Sequence, residues 1–216
     1  MPGVTITAGY GAGGSVVAPA LAKELGVQLL DRAISTTVAA KLQVTVQEAV
    51  AGEAKRTFTE KFMSLLAPLA GGVLGAGTDA APPQDDPVPD EAAGFREQAE
   101  AIMRAALPAG AVILGRGGTA ALCHEPDVLR VRLFGPVDAR IAQATQVEHV
   151  DIDTARERLQ QVDDARDHYI WRLYKVHASE PWLFHLQIDS TVVPLDTCVS
   201  IIATAYRAML TRVSAR

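Results

Sequence analysis

Residues 3–31 constrain the fold of this chain more than any other stretch. They read GVTITAGYGAGGSVVAPALAKELGVQLLD. An apolar run, a glycine-rich turn, a helical pattern and a second short apolar run follow one another, which predicts strand, loop, helix and strand. A phosphate-binding loop opens an α/β nucleotide-binding domain in this way. The stretch therefore predicts an α/β fold with a site for a phosphate group.

The glycine-rich turn departs from the usual phosphate-loop pattern G-x-x-x-x-G-K-[ST]. Ala8 replaces the first glycine, and Gly14 stands where the pattern has lysine. Gly13 and Ser15 match the pattern, in which the final hydroxyl binds a metal ion. Because the lysine reaches the β- and γ-phosphates, any function of this loop must account for Gly14.

The rest of the chain alternates apolar strand patterns with helical patterns. We expect strands over 4–8, 28–30, 111–114, 128–134 and 186–188, and helices over about 13–26, 33–66, 90–107, 136–147, 151–175 and 194–212. Such alternation predicts a parallel sheet covered by helices on both faces, which is a three-layer α/β fold. Gly26 suits the end of the first helix.

Composition limits the class of protein. A chain of 216 residues fits one compact domain with room for a small inserted subdomain, and a net charge of −5 gives no general attraction to nucleic acid or to an anionic membrane. Cys123 and Cys198 are far apart and have no metal-binding spacing, so we expect reduced thiols in a cytoplasmic protein. No secretion signal is visible at the N-terminus.

Two neighbouring segments differ in composition from the rest. Residues 62–77 are apolar but are interrupted by Pro68 and glycines, so we expect a buried helix end or a homo-oligomer contact, not a membrane span. Residues 71–90 are rich in Gly, Ala, Pro and Asp, which predicts a flexible linker.

Polar residues follow the predicted strands at what should be one edge of the sheet, where ligands of α/β sheets bind. Besides loop 9–15 they are Asp31, Arg116 and the pair Asp189 and Ser190. Each has a structural alternative, since Asp31 could cap a helix, Arg116 could form a surface ion pair, and Asp189 with Ser190 could form a turn. Their coincidence favours a phosphate or nucleotide site.

One face of the helix predicted over 151–175 can be interpreted in two ways. The residues on this face lie at helical intervals and are Arg158, Val162, Arg166 and Ile170. The arginines could clamp phosphate groups, or they could pair with Asp163 and Asp167 on the same helix as a solvated, salt-bridged face. The sequence leaves the two interpretations open.

Five segments together resemble a known family. They read ITAGYGAGG, ELGVQLLD, AVILGRGG, VDDARDHYI and LQIDST. In order and spacing they are similar to the cytidylate kinase-like branch of the P-loop nucleoside monophosphate kinases, whose members commonly show YGSGG and also lack the lysine. The resemblance implies a P-loop NTPase-like core of residues 1–32 and 108–216, a lid over about 151–185, and a helical acceptor-binding insertion over 33–107.

The resemblance also implies roles for individual residues on the ATP side. The backbone N–H groups of the loop would bind the donor phosphates, Ser15 would meet Mg²⁺, and Asp189 and Ser190 would border the nucleotide. The loop residues concerned are Gly11, Ala12, Gly13, Gly14 and Ser15. Arg166 and Arg172 would be the catalytic lid arginines.

On the acceptor side the resemblance assigns Asp31 and Arg116. The family's G-R-D segment reads Gly115-Arg116-Gly117 here, and Leu114 stands where related kinases often carry an aspartate that helps to hold the metal. The implied activity is transfer of the γ-phosphoryl group of ATP to a CMP- or dCMP-like nucleoside monophosphate. The alternative is a catalytically weak nucleotide-binding sensor or a partner-binding protein, which Gly14 and the apolar segment 62–77 favour.

Overall fold

The computed structural model describes residues 3–31, 90–115 and 117–214 of the chain. The strands are β1 (Gly3–Ala8), β2 (Gln28–Asp31), β3 (Ala111–Leu114), β4 (Val128–Phe134) and β5 (Leu186–Asp189). The helices in these residues are α1 (Gly14–Leu25), α2 (Asp90–Ala106), α3 (Gly118–Ala121), α4 (Val137–Glu148), α5 (Ile152–Tyr174) and α6 (Leu195–Ser214). Short 3₁₀ turns occupy Leu107–Ala109 and Pro181–Leu183.

The five strands form one parallel sheet in the order β2-β3-β1-β4-β5. In this register Ile6 and Asp31 both align with Leu114, and Ala8 aligns with Leu133. Since parallel strands end at the same edge, the loops after β1, β3, β4 and β5 meet at the carboxyl edge of the sheet. The predicted parallel α/β sheet is confirmed.

Helices cover both faces of the sheet because successive side chains of a strand point to opposite sides. Val4 and Ile6 of β1 point into the main apolar core, where they join Val17 and Leu21 of α1 and Ile202 of α6. The alternating threonines point to the other face. There the hydroxyl groups of Thr5 and Thr7 form hydrogen bonds with Thr119 of α3.

Glycines set both ends of α1. The helix begins after Gly13, and it ends at Gly26, whose φ of 66° lies in the left-handed region that favours glycine. The backbone N–H of Gly26 donates to the carbonyl of Lys23 at 3.3 Å. The sequence prediction of a helix stop at Gly26 is therefore confirmed.

The chain divides into two compact units, one of residues Met1–Arg32 with Glu100–Arg216 and one of residues Ala33–Ala99. All five strands and the helices α1, α3, α4, α5 and α6 belong to the first unit. Segment 62–77 and, except for Asp90, linker 71–90 lie outside the described residues. The acceptor-binding role of 33–107 and the proposed oligomer contact stay predictions.

No helix in the described ranges has the length and apolar character needed to cross a membrane.

Candidate phosphate-binding site

Glycine is required by the backbone at two positions of the loop between β1 and α1. Gly11 and Gly13 have φ of 75° and 73°, a conformation that other residues rarely adopt. A Cβ atom on Gly13 would also lie 2.5 Å from Leu195 Cδ2 and 3.2 Å from Gln143 Nε2. Local packing as well as the φ angle therefore requires glycine at position 13.

Side chains from other elements hold the carbonyl groups of the loop. Arg140 Nη1 donates to the carbonyl of Tyr10 at 2.9 Å, and Gln143 Nε2 donates to that of Gly11 at 2.8 Å. The buried Ser190 hydroxyl donates to the carbonyl of Ala12 at 2.8 Å. Three successive carbonyl groups are therefore engaged by α4 and by the turn after β5.

Backbone N–H groups cluster where the loop enters α1. The amides of Gly14 and Ser15 open the helix and have no carbonyl four residues earlier within it. In the part of the chain that the structure describes, the amides of Gly11 and Gly13 also donate no hydrogen bond, whereas that of Ala12 donates to the carbonyl of Gly9 at 3.1 Å. A helix N-terminus with such amides favours an anion.

An ion pair between α4 and α5 supports the outer side of the loop. Arg140 Nη1 lies 2.6 Å from Asp163 Oδ2, and the other carboxylate oxygen accepts the N–H of Tyr10 at 2.8 Å. The two side chains are 11% and 28% exposed. The interpretation in which Asp163 pairs with arginines of its own helix, one of the two left open, is wrong for this residue, since its partner comes from α4.

The aromatic ring of Tyr10 anchors the glycine-rich loop by packing between α4 and α5. It packs in a small apolar cluster of buried residues: Ile141, Ala144, Ala155 and Leu159. Its hydroxyl donates to Glu148 Oε2 at 2.8 Å, and Arg158 pairs with the same carboxylate at 3.3 Å. Burial, followed by the hydrogen bond to Glu148, raises the pKa of Tyr10 to about 12.

Helix α5 passes from the loop after β1 to the loop after β3. Arg166 Nη1 donates to the carbonyl of Ala8 at 2.9 Å. Further along, a Cβ atom on Gly117 would lie 2.9 Å from Tyr174 Cε2. The structure therefore brings Arg166 to the start of the loop, whereas Arg158 lies near the Tyr10 hydroxyl, beside Glu148.

Arg172 does not share the face of Arg166. The two residues are six positions apart on α5, which rotates them by about 120° around the helix. Asp167 does not pair with an arginine of this helix either, since its carboxylate accepts from the N–H of Ala178 at 2.8 Å and bonds His177 Nδ1 at 2.9 Å. The hydrogen bond with Asp167 raises the pKa of His177.

The pair after β5 forms a turn that supports the loop. Asp189 Oδ1 accepts from the N–H of Thr191 at 3.0 Å and from its hydroxyl at 2.6 Å. Ser190 also donates to the carbonyl of Phe134 at 3.3 Å. The turn interpretation holds for both residues, and their contact with a nucleotide stays a prediction.

Of the two predicted acceptor residues, the structure describes only the backbone of Asp31. The backbone of Asp31 ends β2 beside Leu114, at the same sheet edge as the glycine-rich loop. Arg116 and the side chain of Asp31 lie outside the described residues. Their role in acceptor binding stays a prediction.

Sequence reasoning missed Arg140, Gln143 and Asp163 as the supports of the loop. One signal was present for Arg140, which lies in the first turn of the helix that follows β4, close to the carboxyl edge of the sheet. The sequence carries no comparable signal for Gln143 or Asp163, because each contacts a loop more than a hundred residues earlier in the chain.

The fold and the loop together define a class of protein. A parallel sheet of order β2-β3-β1-β4-β5, with a glycine-rich loop between its central strand and the first helix, is that of a P-loop kinase. The model of the cytidylate kinase-like family matches residues 3–192. The chain belongs to this family, as the resemblance of its segments indicated.

Solved structures agree with this fold. An uncharacterized protein from Eubacterium ventriosum is 18% identical, with 96% of this chain and 98% of that chain covered and a TM-score of 0.64. Shikimate kinase from Acinetobacter baumannii (16% identity, coverage 96% and 94%, TM-score 0.47) and a gluconokinase from Sinorhizobium meliloti (13%, 100% and 98%, 0.49) are also similar. Only the first likeness supports the fold here. A search of curated proteins finds no match.

Proposed function

We propose that this P-loop kinase transfers the γ-phosphoryl group of ATP to a nucleoside monophosphate of the CMP or dCMP type. One observation carries the proposal: side chains hold the loop carbonyls of Tyr10, Gly11 and Ala12, while the amides that open α1 keep their hydrogen-bonding capacity for phosphate. Membership of the cytidylate kinase-like family supports the choice of acceptor.

The proposed chemistry needs positive charge at the transferring group. Phosphoryl transfer depends mostly on positioning and on neutralising charge. Gly14 supplies none, and loss of one preorganised group costs about 10²–10³ in rate. Arg166, whose guanidinium lies against the carbonyl of Ala8, is the cation that we assign to this task. Arg172 serves as a second lid arginine in the proposal.

A Mg²⁺ ion fits the loop without a cage of protein ligands. Magnesium usually keeps several waters and binds through substrate phosphates and one or two carboxylates, and in the phosphate-loop pattern a Ser or Thr hydroxyl also contacts it. No cluster of three His, Cys, Asp or Glu suited to a metal occurs in the described residues. The exposed Ser15, in the first turn of α1, would supply one oxygen. A magnesium ion held there would supply positive charge against the donor phosphates.

The acceptor would lie at the carboxyl edge of β2 and β3. Asp31 ends β2 there, and Arg116 directly follows Gly115 in the loop after β3. An arginine suits a phosphate because its planar, permanently charged group donates two parallel hydrogen bonds. The insertion 33–107 would cover this nucleotide and the lid 151–185 the ATP side.

A nucleotide-binding sensor without useful turnover is the second candidate function. Two departures from the kinase pattern favour it, namely Gly14 in place of lysine and Leu114 in place of the metal-holding aspartate. Leu114 is buried and apolar, so it cannot ligate an ion. The two functions differ in turnover and agree in nucleotide binding.

Turnover separates the two functions. We expect ADP release from ATP and Mg²⁺ with CMP or dCMP as acceptor, above the rates with UMP or AMP. Arg166→Ala should lower kcat by at least about 10² while the protein stays folded. The matched control is Arg156→Ala on the same helix, since Arg156 is 59% exposed and pairs only with the exposed Asp153 among the described residues.

Two other outcomes would contradict these expectations. Tight ATP binding with no turnover for any of the four acceptors would leave the sensor function. Equal rates for wild type and Arg166→Ala would remove Arg166 from the proposed mechanism.

A further inference from the structure

Position 14 of this loop has glycine for a reason other than backbone conformation. The φ angle of Gly14 is not among the positive ones in the described residues, and Gly14 begins an ordinary α-helix. Glycine at such a position costs stability relative to alanine. A contact, not a dihedral angle, must therefore account for it.

The contact is with the methyl group of Ala8. A Cβ atom on Gly14 would lie 2.6 Å from Ala8 Cβ and 3.3 Å from Leu114 Cδ1. The end of the leucine side chain can move by a few tenths of an ångström. The alanine methyl cannot, because it is attached to the backbone of the central strand β1, which pairs with β3 and β4 on its two sides.

The two departures from the phosphate-loop pattern, Ala8 and Gly14, therefore form one packing unit together with Leu114. The pattern has glycine at position 8 and lysine at position 14, and this chain has alanine and glycine at those places. In the pattern the Cβ atom of this contact belongs to position 14, and in this chain it belongs to position 8. Leu114 fills the remainder as a member of the main apolar core, against which Ala8 packs.

We propose that Ala8 is the residue that excludes a side chain from position 14, so that the loop binds phosphate without a cation of its own. The ligand class this selects is a nucleotide held by backbone amides and by the lid arginine Arg166. Since a lysine here would contact the β- and γ-phosphates, its exclusion leaves the loop little preference for a triphosphate over a diphosphate. This second part of the proposal rests on the proposed function.

The steric part is tested by a double-mutant cycle in the ligand-free protein. Gly14→Ala in wild type should lower the folding equilibrium constant by about tenfold or more, because the added methyl overpacks the contact. In the background of Ala8→Gly the same change should raise the constant, because the space is then open and alanine is the better helix residue. The readout is urea unfolding of the four proteins.

A change of sign between the two backgrounds is the expected result, and it needs no nucleotide. Gly14→Ala with wild-type stability, or equal losses in both backgrounds, would overturn the steric proposal. If no nucleotide binds to any variant, the proposed function fails while the cycle still decides the role of Ala8.

The phosphate part is tested with lysine. Gly14→Lys alone should fold poorly, whereas Ala8→Gly/Gly14→Lys should fold and should bind ATP more tightly than ADP by at least about tenfold relative to wild type. Calorimetry with ATP, ADP and AMP measures the ratio, which a purely structural effect would not change. A folded double variant whose ATP-to-ADP ratio equals that of wild type would overturn this part, as would a single Gly14→Lys variant that shows the full gain.

Discussion

At the scale of single residues, Asp163 links the glycine-rich loop to α4, a role that no sequence motif indicated. Its carboxylate joins the N–H of Tyr10 to the guanidinium of Arg140. We expect Asp163→Ala to lower the free energy of unfolding by about 2 kcal/mol, because it leaves a largely buried arginine without its carboxylate. Urea unfolding at pH 7 measures this loss.

The control for Asp163 lies on the same helix. Asp153→Ala removes an exposed partner of Arg156 and should change stability by less than about 0.5 kcal/mol. Equal losses in the two variants would show that the Asp163 pair contributes no more than a surface ion pair.

Tyr10 gives the folded state a dependence on alkaline pH. Its pKa is about 12 in the folded protein against about 10 in the unfolded chain, so the neutral hydroxyl stabilises the fold below pH 10. That stability is lost as the pH rises from 10 to 12, and amounts to about 3 kcal/mol. We expect Tyr10→Phe to cost about 1 kcal/mol at pH 7 and to lose less stability than wild type above pH 10.

The comparison isolates Tyr10 from other alkaline groups. Burial also raises the pKa of Tyr206, but Tyr206 is present in both proteins and its effect cancels in the difference. Parallel stability curves for wild type and Tyr10→Phe between pH 10 and 12 would contradict the assignment.

At the scale of elements, α5 has two halves with different attachments. Ala155 and Leu159 in its first half are buried with the Tyr10 ring, while the second half reaches the loop through Arg166. Residues 176–185 are tied to β4, since Arg130 donates to the carbonyl of Leu183 at 2.7 Å. We therefore expect the proposed lid motion to involve part of the segment 151–185, not all of it.

Hydrogen exchange should reveal this division of α5. On addition of ATP and Mg²⁺ we expect new protection around 164–178 and in the first turn of α1, with little change over 155–160, whose amides are already in a packed segment. Uniform new protection along the whole helix would indicate a lid that moves as one body. Unchanged protection everywhere would indicate a rigid binding module.

At the scale of the whole molecule, phosphate binding should appear as stability. A ligand that binds only the folded state stabilises it by about 2.7 kcal/mol at a hundred times its Kd. We expect ATP to raise the midpoint of thermal unfolding more than adenosine at equal concentration, since the loop amides contact phosphate and not base. Scanning calorimetry with ATP, ADP and adenosine tests this.

A matched pair of variants makes the thermal test specific. The shift with ATP should shrink for Arg166→Ala and stay unchanged for Arg156→Ala, because Arg156 is an exposed residue whose ion pair is with Asp153. Equal shifts with adenosine and ATP would place the main binding contacts away from the glycine-rich loop.

The elements of the described chain could be predicted from sequence because their signals are local. Apolar runs over 111–114 and 128–134 match β3 and β4, and the glycine after residue 25 ends α1. The four-residue helix Gly118–Ala121 was not expected, since it is too short for any periodicity to appear. The same local signals located the glycine-rich loop and, through five short segments, the family.

Contacts within the site depended on the tertiary structure. Asp163 could be placed on a helix, but whether it faced its own arginines or Arg140 was decided by the packing of α4 against α5. Ser190 was recognisable as a turn residue, and only the sheet order brings its hydroxyl to the carbonyl of Ala12.

Gly14 shows most clearly which information the sequence contains and which only the tertiary structure adds. The sequence determined that a lysine is missing, because a pattern of types is read directly from the chain. Why it is missing depends on a distance between two Cβ positions, 2.6 Å at Ala8, which arises only when β1, the loop and α1 take their final geometry. Steric exclusion is a property of atoms in space, so the tertiary structure alone decided it.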